Sequence, residues 1–289
     1  MAELADWGLE LIRRSSTDIS ADVEASLRAA RDREEDGSTA RSTFEVILEN
    51  VEIARKGGTP ICQDTGLPAF YVHLPKDGDP DATRDGLIQA VKMATAEGLL
   101  RPNAVDPVSG KNSGNNEGLG LPYISIEFHD GDETVIDIMQ KGGGSENVSA
   151  QYRLPDTDLH AGRDLEGVRK CILDAVTTAQ GFGCAPGTIG VCVGGDRGCS
   201  YLGAKKQLLR RMDDVNPDPE LAALEDRLHG ELNELGIGPM GFGGKTTVLG
   251  VKIGVLHRHP ASFFVSMSYC CWANRRRRLT IRGDQADIV

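Results

Sequence analysis

The stretch Gly181-Phe182-Gly183-Cys184-Ala185-Pro186-Gly187-Thr188-Ile189-Gly190-Val191-Cys192-Val193 joins two different hydrophobic patterns. Before it, Leu165, Val168, Ile172 and Val176 recur at helical spacing, which predicts a helix ending at Gly181. After Cys184-Ala185-Pro186-Gly187, the run from Thr188 to Val193 is short and apolar, the pattern of a buried strand. A helix feeding such a strand through a cysteine-bearing loop predicts a mixed α/β (α+β) protein, with mixed sheets flanked by helices. The same stretch starts like a dinucleotide-binding loop. Pro186 stands where the third glycine or alanine belongs, however, and the helix precedes the loop instead of following it.

Outward from this point, residues 1–55 read as helical. Phe44, Ile47, Leu48, Val51 and Ala54 keep helical spacing, and Val23 and Leu27 lie one turn apart behind a candidate Ser20 cap. A loop around Ile61-Cys62-Gln63-Asp64-Thr65-Gly66 leads to a short strand at Phe70-Tyr71-Val72, then to a helix over 81–99 and a polar loop from Arg101 to Asn116. Ile124, Ile126 and Phe128 alternate with polar neighbours before Asp130-Gly131, and a second alternating segment follows around Val135 to Met139, which predicts a hairpin. Helices are expected over 201–211 and 219–235, and strands over 246–256 and 263–267. With no internal repeat or linker, the reading is one catalytic-type domain over 1–281, in two lobes sharing a site, and a frayed tail at 282–289.

Composition narrows the function classes. Lys and Arg number 32 against 43 Asp and Glu, a formal net charge of -11, which opposes non-specific attraction to nucleic acid or an anionic membrane. No apolar run is long enough for a membrane span, and the first residues have no secretory-signal pattern, so a cytoplasmic protein is expected. The run Arg275 to Arg278 is read as a solvated face or a surface for an acidic partner. The 35 glycines, without a Gly-X-Y period, mark tight turns and close approaches of backbone to ligand. Gly244-Lys245-Thr246 resembles a phosphate loop, but Pro239 occupies the required first glycine and a strand follows.

Seven cysteines without an export signal argue for metal binding or buried thiols over a disulfide framework. Cys171 lies on a helical stripe and Cys192 inside an apolar strand, as core residues do. Cys62, Cys184 and the pair Cys270 and Cys271 lie in loop contexts. Three such thiols suit a metal or cluster site, and spacing alone leaves a catalytic zinc site open as an alternative.

Four motifs occur in order: Pro60-Ile61-Cys62-Gln63-Asp64-Thr65-Gly66, Lys141-Gly142-Gly143-Gly144-Ser145-Glu146-Asn147, Gly236-Ile237-Gly238-Pro239-Met240-Gly241, and His259-Pro260 with Cys271-Trp272-Ala273-Asn274-Arg275-Arg276. Together they resemble the iron–sulfur hydro-lyases of the class I fumarase and L-tartrate dehydratase family, over its N-terminal catalytic region or alpha subunit.

The resemblance implies a [4Fe–4S] cluster held by Cys62, Cys184 and Cys271. Cys270 is the competing third ligand, but the motif fits only from Cys271. Three thiolates leave one iron open as a Lewis acid for a hydroxy-dicarboxylate. The resemblance further implies Asp64 as the acid for the departing hydroxyl, against the bland reading of an Asp-Thr-Gly turn. It implies Gln63, Arg101, Gly144 and His259 as substrate contacts, arginine and a glycine nest both suiting carboxylates. The expected reaction is that of fumarate and L-malate, as in the tricarboxylic acid cycle, with L-tartrate or mesaconate as alternatives. The family's C3 base lies in a C-terminal region or beta subunit, so a separate beta chain and a dimer of heterodimers are expected, with Arg275 to Arg278 one candidate contact. A zinc protein and a non-catalytic partner-binding subunit are the competing classes.

Overall fold

Aspartates cap the helices that begin at Pro80, Leu165, Arg197 and Pro219. Asp79 and Asp218 each accept backbone N–H bonds ahead of a proline in the first turn, while Asp164 and Asp196 cap Gly167 and Cys199 in the same way. In the computed structural model, which describes residues 2–289, the chain runs α1 (Ala2–Thr17), α2 (Ala21–Arg33), α3 (Thr39–Gly57), β1 (Leu67–Pro75), α4 (Pro80–Ala96), β2 (Tyr123–His129), β3 (Thr134–Lys141), α5 (Gly143–Asn147) and β4 (Ala150–Arg153). It continues with α6 (Leu165–Ala179), β5 (Gly187–Gly194), α7 (Arg197–Gln207), α8 (Pro219–Glu234), β6 (Val248–Leu256), β7 (Phe264–Cys270), β8 (Arg275–Arg282) and β9 (Gln285–Ile288). This is the mixed α/β architecture expected. Among the described residues no helix is long and apolar enough to cross a membrane.

The chain forms two compact units. The first comprises residues up to Ser20, Glu49–Gly142 and Arg275–Val289, and the second Ala21–Leu48 with Gly143–Asn274. In the first, the sheet order is β2-β1-β3-β8-β9, and Leu11, Phe70, Leu87, Ile136, Ile138 and Leu279 form the core. The hairpin expected across Asp130-Gly131 does not form. β1 lies between its two arms, parallel to β2 and antiparallel to β3. Phe70, Tyr71 and Val72 are consecutively buried, so β1 needs cover on both faces and takes an inner position, whereas half-exposed β2 takes the edge.

Two further expectations change in this unit. The arginine run is solvated only in part: it is β8, inside the sheet, with Arg275 1% and Arg276 7% exposed while Arg278 stays exposed. Arg277 donates to the Ile19 carbonyl at 2.8 Å, and Arg278 forks onto Asp137 at 2.8 and 2.9 Å. The tail is not frayed, because Gln285–Ile288 folds back through Gly283 (φ +59) and pairs with β8.

The second unit carries the sheet β4-β7-β5-β6 and a core of Val168, Ile172, Ile189, Leu228, Val251 and Met267. All eight residues of β5 are buried, which explains its unbroken apolar pattern. Edge strand β6 does not offer bare backbone. Asn233 Oδ1 accepts from Thr247 and Val248, Glu225 Oε1 accepts from Ile253, and Asn216 donates to the Ile253 carbonyl at 2.8 Å.

Candidate active site

In the first unit the Pro60–Gly66 loop is tied at both flanks. Ile61 donates its N–H to the Ser16 carbonyl at 3.0 Å, and Asn50 reaches the Ile61 carbonyl at 2.9 Å. Gly66 has φ +73, and a Cβ there would stand 2.7 Å from the Lys141 carbonyl oxygen, so only glycine fits. Asp64 Oδ1 accepts the Gly66 N–H at 3.0 Å, the turn contact expected of an Asp-Thr-Gly sequence. Its Oδ2 lies over Gly142, where a Cβ would stand 2.7 Å away. The first glycine of the Lys-Gly-Gly-Gly motif therefore makes room for the Asp64 carboxyl.

Arg101 joins this group through a network that the sequence does not advertise. Thr65 is 1% exposed, and its Oγ1 accepts from the Arg101 N–H at 3.0 Å and from Asn103 Nδ2 at 3.2 Å. Buried Asn116 accepts from the Asn103 N–H and donates to the Arg101 carbonyl. Arg101 Nη1 reaches the Gln63 carbonyl at 3.3 Å. Cys62, half-buried, has its Sγ 3.6 Å from Gln63 Oε1. Cys62, Gln63, Asp64 and Arg101 are thus one constellation.

In the second unit, Cys184 and Cys271 are brought together: the Trp272 N–H donates to the Cys184 carbonyl at 3.2 Å. Cys184 is exposed and holds φ +56, a left-handed conformation that costs a non-glycine residue energy. The Gly-Ile-Gly-Pro-Met-Gly motif braces this loop. Met240 donates its N–H to the Ala185 carbonyl at 2.8 Å, and Gly241 approaches Gly181 so closely that a Cβ on Gly181 would stand 2.8 Å from its Cα. Gly144 belongs to the same neighbourhood, facing the Phe182 carbonyl.

Tyr269 completes the group and escaped the sequence reading, since a tyrosine inside a strand looks like core. Its ring fills the space that side chains at Gly183 and Gly187 would occupy. It is fully buried, and among the described residues its hydroxyl has no hydrogen-bond partner. Burial, reinforced by the Cys271, Cys184 and Cys270 thiols, raises its pKa above the ordinary tyrosine value. An orphaned donor beside thiols suits an anionic group with acceptor atoms, as an iron–sulfur cluster is. The donor set of soft thiols, none in a disulfide, fits as well. Cys270 faces elsewhere: its Sγ lies 3.7 Å from Asn274 Oδ1, whose amide is tied to the Leu208 carbonyl. Among the described residues, no three His, Cys, Asp or Glu side chains form a group able to hold a single metal ion.

His259 is the site residue that the fold sets apart. It lies on the exposed loop after β6, with Nδ1 accepting the Ala261 N–H at 3.1 Å.

Fold and loops define a mixed α/β protein that carries thiol, carboxyl and guanidinium groups on the connections between its strands. The fumarate hydratase (Fumerase) family model matches residues 8–280, and the chain belongs to that family. It is 46% identical, over its whole length, to a candidate class I fumarate hydratase of Geobacillus stearothermophilus, and spans 57% of that protein. It is 35% identical to a candidate L(+)-tartrate dehydratase alpha subunit of Methanocaldococcus jannaschii, with 98% of this chain and 99% of that one aligned. The L(+)-tartrate dehydratase alpha subunit of Escherichia coli K12 is 33% identical, over 93% of this chain and 88% of the relative.

Proposed function

We propose that the chain is the alpha-type catalytic subunit of an iron–sulfur hydro-lyase that interconverts L-malate and fumarate. The observation that carries the reading is the pairing of Cys184 with Cys271 beside the unpartnered Tyr269 hydroxyl, in a chain of the fumarate hydratase family. Cys62, Cys184 and Cys271 would hold a [4Fe–4S] cluster. When bound, that group supplies Lewis acidity toward the substrate hydroxyl and its neighbouring carboxylate.

The chain's own residues supply binding and proton transfer. Arg101, whose backbone is fixed by Thr65 and Asn116, presents a planar donor pair to a carboxylate. Gln63 and the open backbone at Gly144 add neutral donors. Asp64, oriented by the Gly66 N–H, gives a proton to the hydroxyl that leaves C2, so that water departs. In hydration the carboxylate takes that proton back. His259 supplies a further contact, from an end of its sheet remote from the cysteines. The C3 proton goes to a base on a separate beta-type chain. The alpha-subunit names of two relatives support this two-chain organisation. Higher identity to the fumarase relative favours malate over tartrate. A cytoplasmic location and a dimer of heterodimers complete the proposal.

Anaerobic co-purification with the beta-type chain tests it. Brown protein containing iron and hydrating fumarate supports the reading, whereas colourless protein with stoichiometric zinc sinks it. Cys271→Ser should lose the iron, while Cys270→Ser keeps it; the reverse pattern overturns the ligand assignment. Asp64→Asn should retain iron and lose turnover.

A further inference from the structure

Arg275 is a buried cation for which the described residues supply no anion. It opens β8 in a rung with Gln140 of β3 and Pro68 of β1. Residues of one rung share a face, and this face continues through Phe70, Ile138 and Arg277 to Val72, Ile136 and Leu279, in the core that Leu11 and Ile12 of α1 complete. Arg275 is 1% exposed, and among the described residues its Nε and Nη1 have no hydrogen-bond partner. Its neighbours on the strand meet the same problem with carboxylates. Arg277 lies 3.3 Å from Asp18, and Arg278 forks onto Asp137 at 2.8 and 2.9 Å. Among the described residues Arg275 has no such partner. A buried charge left alone is strongly unfavourable, so this position calls for a group of opposite sign.

Gln140 does not provide it. The side chain is fully buried, its Nε2 donates to the Ile12 carbonyl at 3.4 Å, and its Oε1 has no partner among the described residues. The amide is neutral, so even direct contact with Arg275 would leave the charge standing. The carbonyl end of α1 adds only partial negative charge. What distinguishes the rung is its place in the sheet. β1 and β8 both run antiparallel to β3, so they start at the same end. Two strand spacings of about 4.8 Å put the Arg275 backbone about 10 Å from that of Pro68. The Cys62–Gly66 loop enters β1 at this end. Gly66 rests against the Lys141 backbone, next to Gln140, and Ile61 is tied to the Ser16 carbonyl of α1. Arg275 thus occupies the last core rung at the end of the sheet where the Cys62 loop arrives.

We propose that Arg275 is the counter-charge of the cluster held by Cys62, Cys184 and Cys271. The inference rests on the hydro-lyase reading and goes beyond it, since Arg275 neither ligates iron nor touches the diacid. Three thiolates outweigh the charge of an oxidised cubane core, so the assembled group is an anion. A fixed cation in a low-dielectric surrounding favours that anion, and favours it more once an electron is added. Arg275 therefore holds the cluster against loss of iron and raises its reduction potential. In the iron-free chain the same charge opposes folding.

Arg275→Met and Arg275→Lys, each purified anaerobically with the beta-type chain, test this by stability and spectroscopy instead of turnover. The iron-free and loaded states should respond with opposite signs. Freed of iron, the Met variant should have a higher Tm than wild type, because it lacks an uncompensated buried charge. Loaded, it should lose iron to a chelator about tenfold faster, the scale usual for losing an outer-shell partner. Redox titration followed by electron paramagnetic resonance should place its reduction midpoint below that of wild type. Arg275→Lys keeps the charge and should restore most of the midpoint. A Met variant that is less stable than wild type without iron, or fails to fold, reveals a charge already paired within the fold and overturns the proposal. So does a wild-type rate of iron loss, an unshifted midpoint, or a Lys variant no closer to wild type than Met. A merely structural arginine would weaken both states together and leave the midpoint unmoved. A wild-type complex that holds no iron sinks the hydro-lyase reading, and this proposal with it; a brown wild type whose Met variant behaves identically sinks the proposal alone.

Discussion

Replacing Gly187 by alanine should strike the centre of the cysteine site through packing alone. The added Cβ would stand 2.3 Å from Tyr269 Cζ and 2.6 Å from its hydroxyl oxygen. Ordinary carbon contacts lie at about 3.5 to 4.0 Å, so the overlap exceeds 1 Å on the order of a full atomic radius. The ring has nowhere to move. It is fully buried, it also abuts Gly183, and β5 is buried along its whole length. Overpacking of this kind costs about 1 to 3 kcal/mol, and the rigid surroundings argue for the upper end. At about 2 to 4 °C per kcal/mol for a chain of this size, a Tm loss of about 6 to 12 °C follows. Calorimetry of the purified chain measures it, and iron content should fall because the Cys184 loop rests on the same ring. Trimming the ring with Tyr269→Leu in the Gly187→Ala background should recover part of the loss, so the two changes are non-additive. An unchanged Tm, or strictly additive effects, would refute the packing argument.

Thr65→Val should leave the Arg101 N–H and the Asn103 amide without their buried acceptor, costing about 1 to 3 kcal/mol and raising KM for the diacid; a Tm and KM equal to wild type would contradict the network's role. Burial, with Asp156 and Asp174 nearby, pushes the Cys171 thiol up to about 12, and burial pushes Cys192 up to about 11. Both should resist alkylation at pH 8 in the native chain while exposed Cys199 reacts, as peptide mass mapping would show. Because these folded-state values exceed the ordinary thiol value of about 9, the native state holds more protons than the unfolded one between the two. Unfolding free energy should therefore decline as pH rises from about 9 toward 12, and a flat alkaline profile in urea titrations would deny it. Arg210 and Lys252 hold the Asp214 carboxyl below its usual range despite the opposing effect of burial. Asp214→Asn should therefore destabilise at neutral pH and matter less as pH falls through the native value.

Much of the architecture was legible because it follows from local pattern. The helical stripe before Gly181 and the unbroken apolar run of β5 are short-range signals, and the fold class follows from the order of such elements. The four motifs, in sequence, announced the family and carry Cys62, Asp64 and Cys271, whereas Cys184 lies outside them. Three local readings misled, the frayed tail at 282–289 being one of them. Alternation on both sides of Asp130-Gly131 looks like a hairpin whether or not a third strand inserts between the arms, and Phe70-Tyr71-Val72 needed cover on both faces. Four consecutive arginines look solvated, yet the sheet buries Arg275 and Arg276.

Residue chemistry and local periodicity, both written in neighbouring residues, were enough to determine the type of most elements before β8, the family and the functional groups available. Which groups meet was decided only by strand order and register, because the contacts that fix them join residues far apart in the chain. That is why Tyr269, anonymous in its strand, turns out to line the cysteine pair. It is also why His259, only twelve positions before Cys271, ends up at the opposite end of their common sheet.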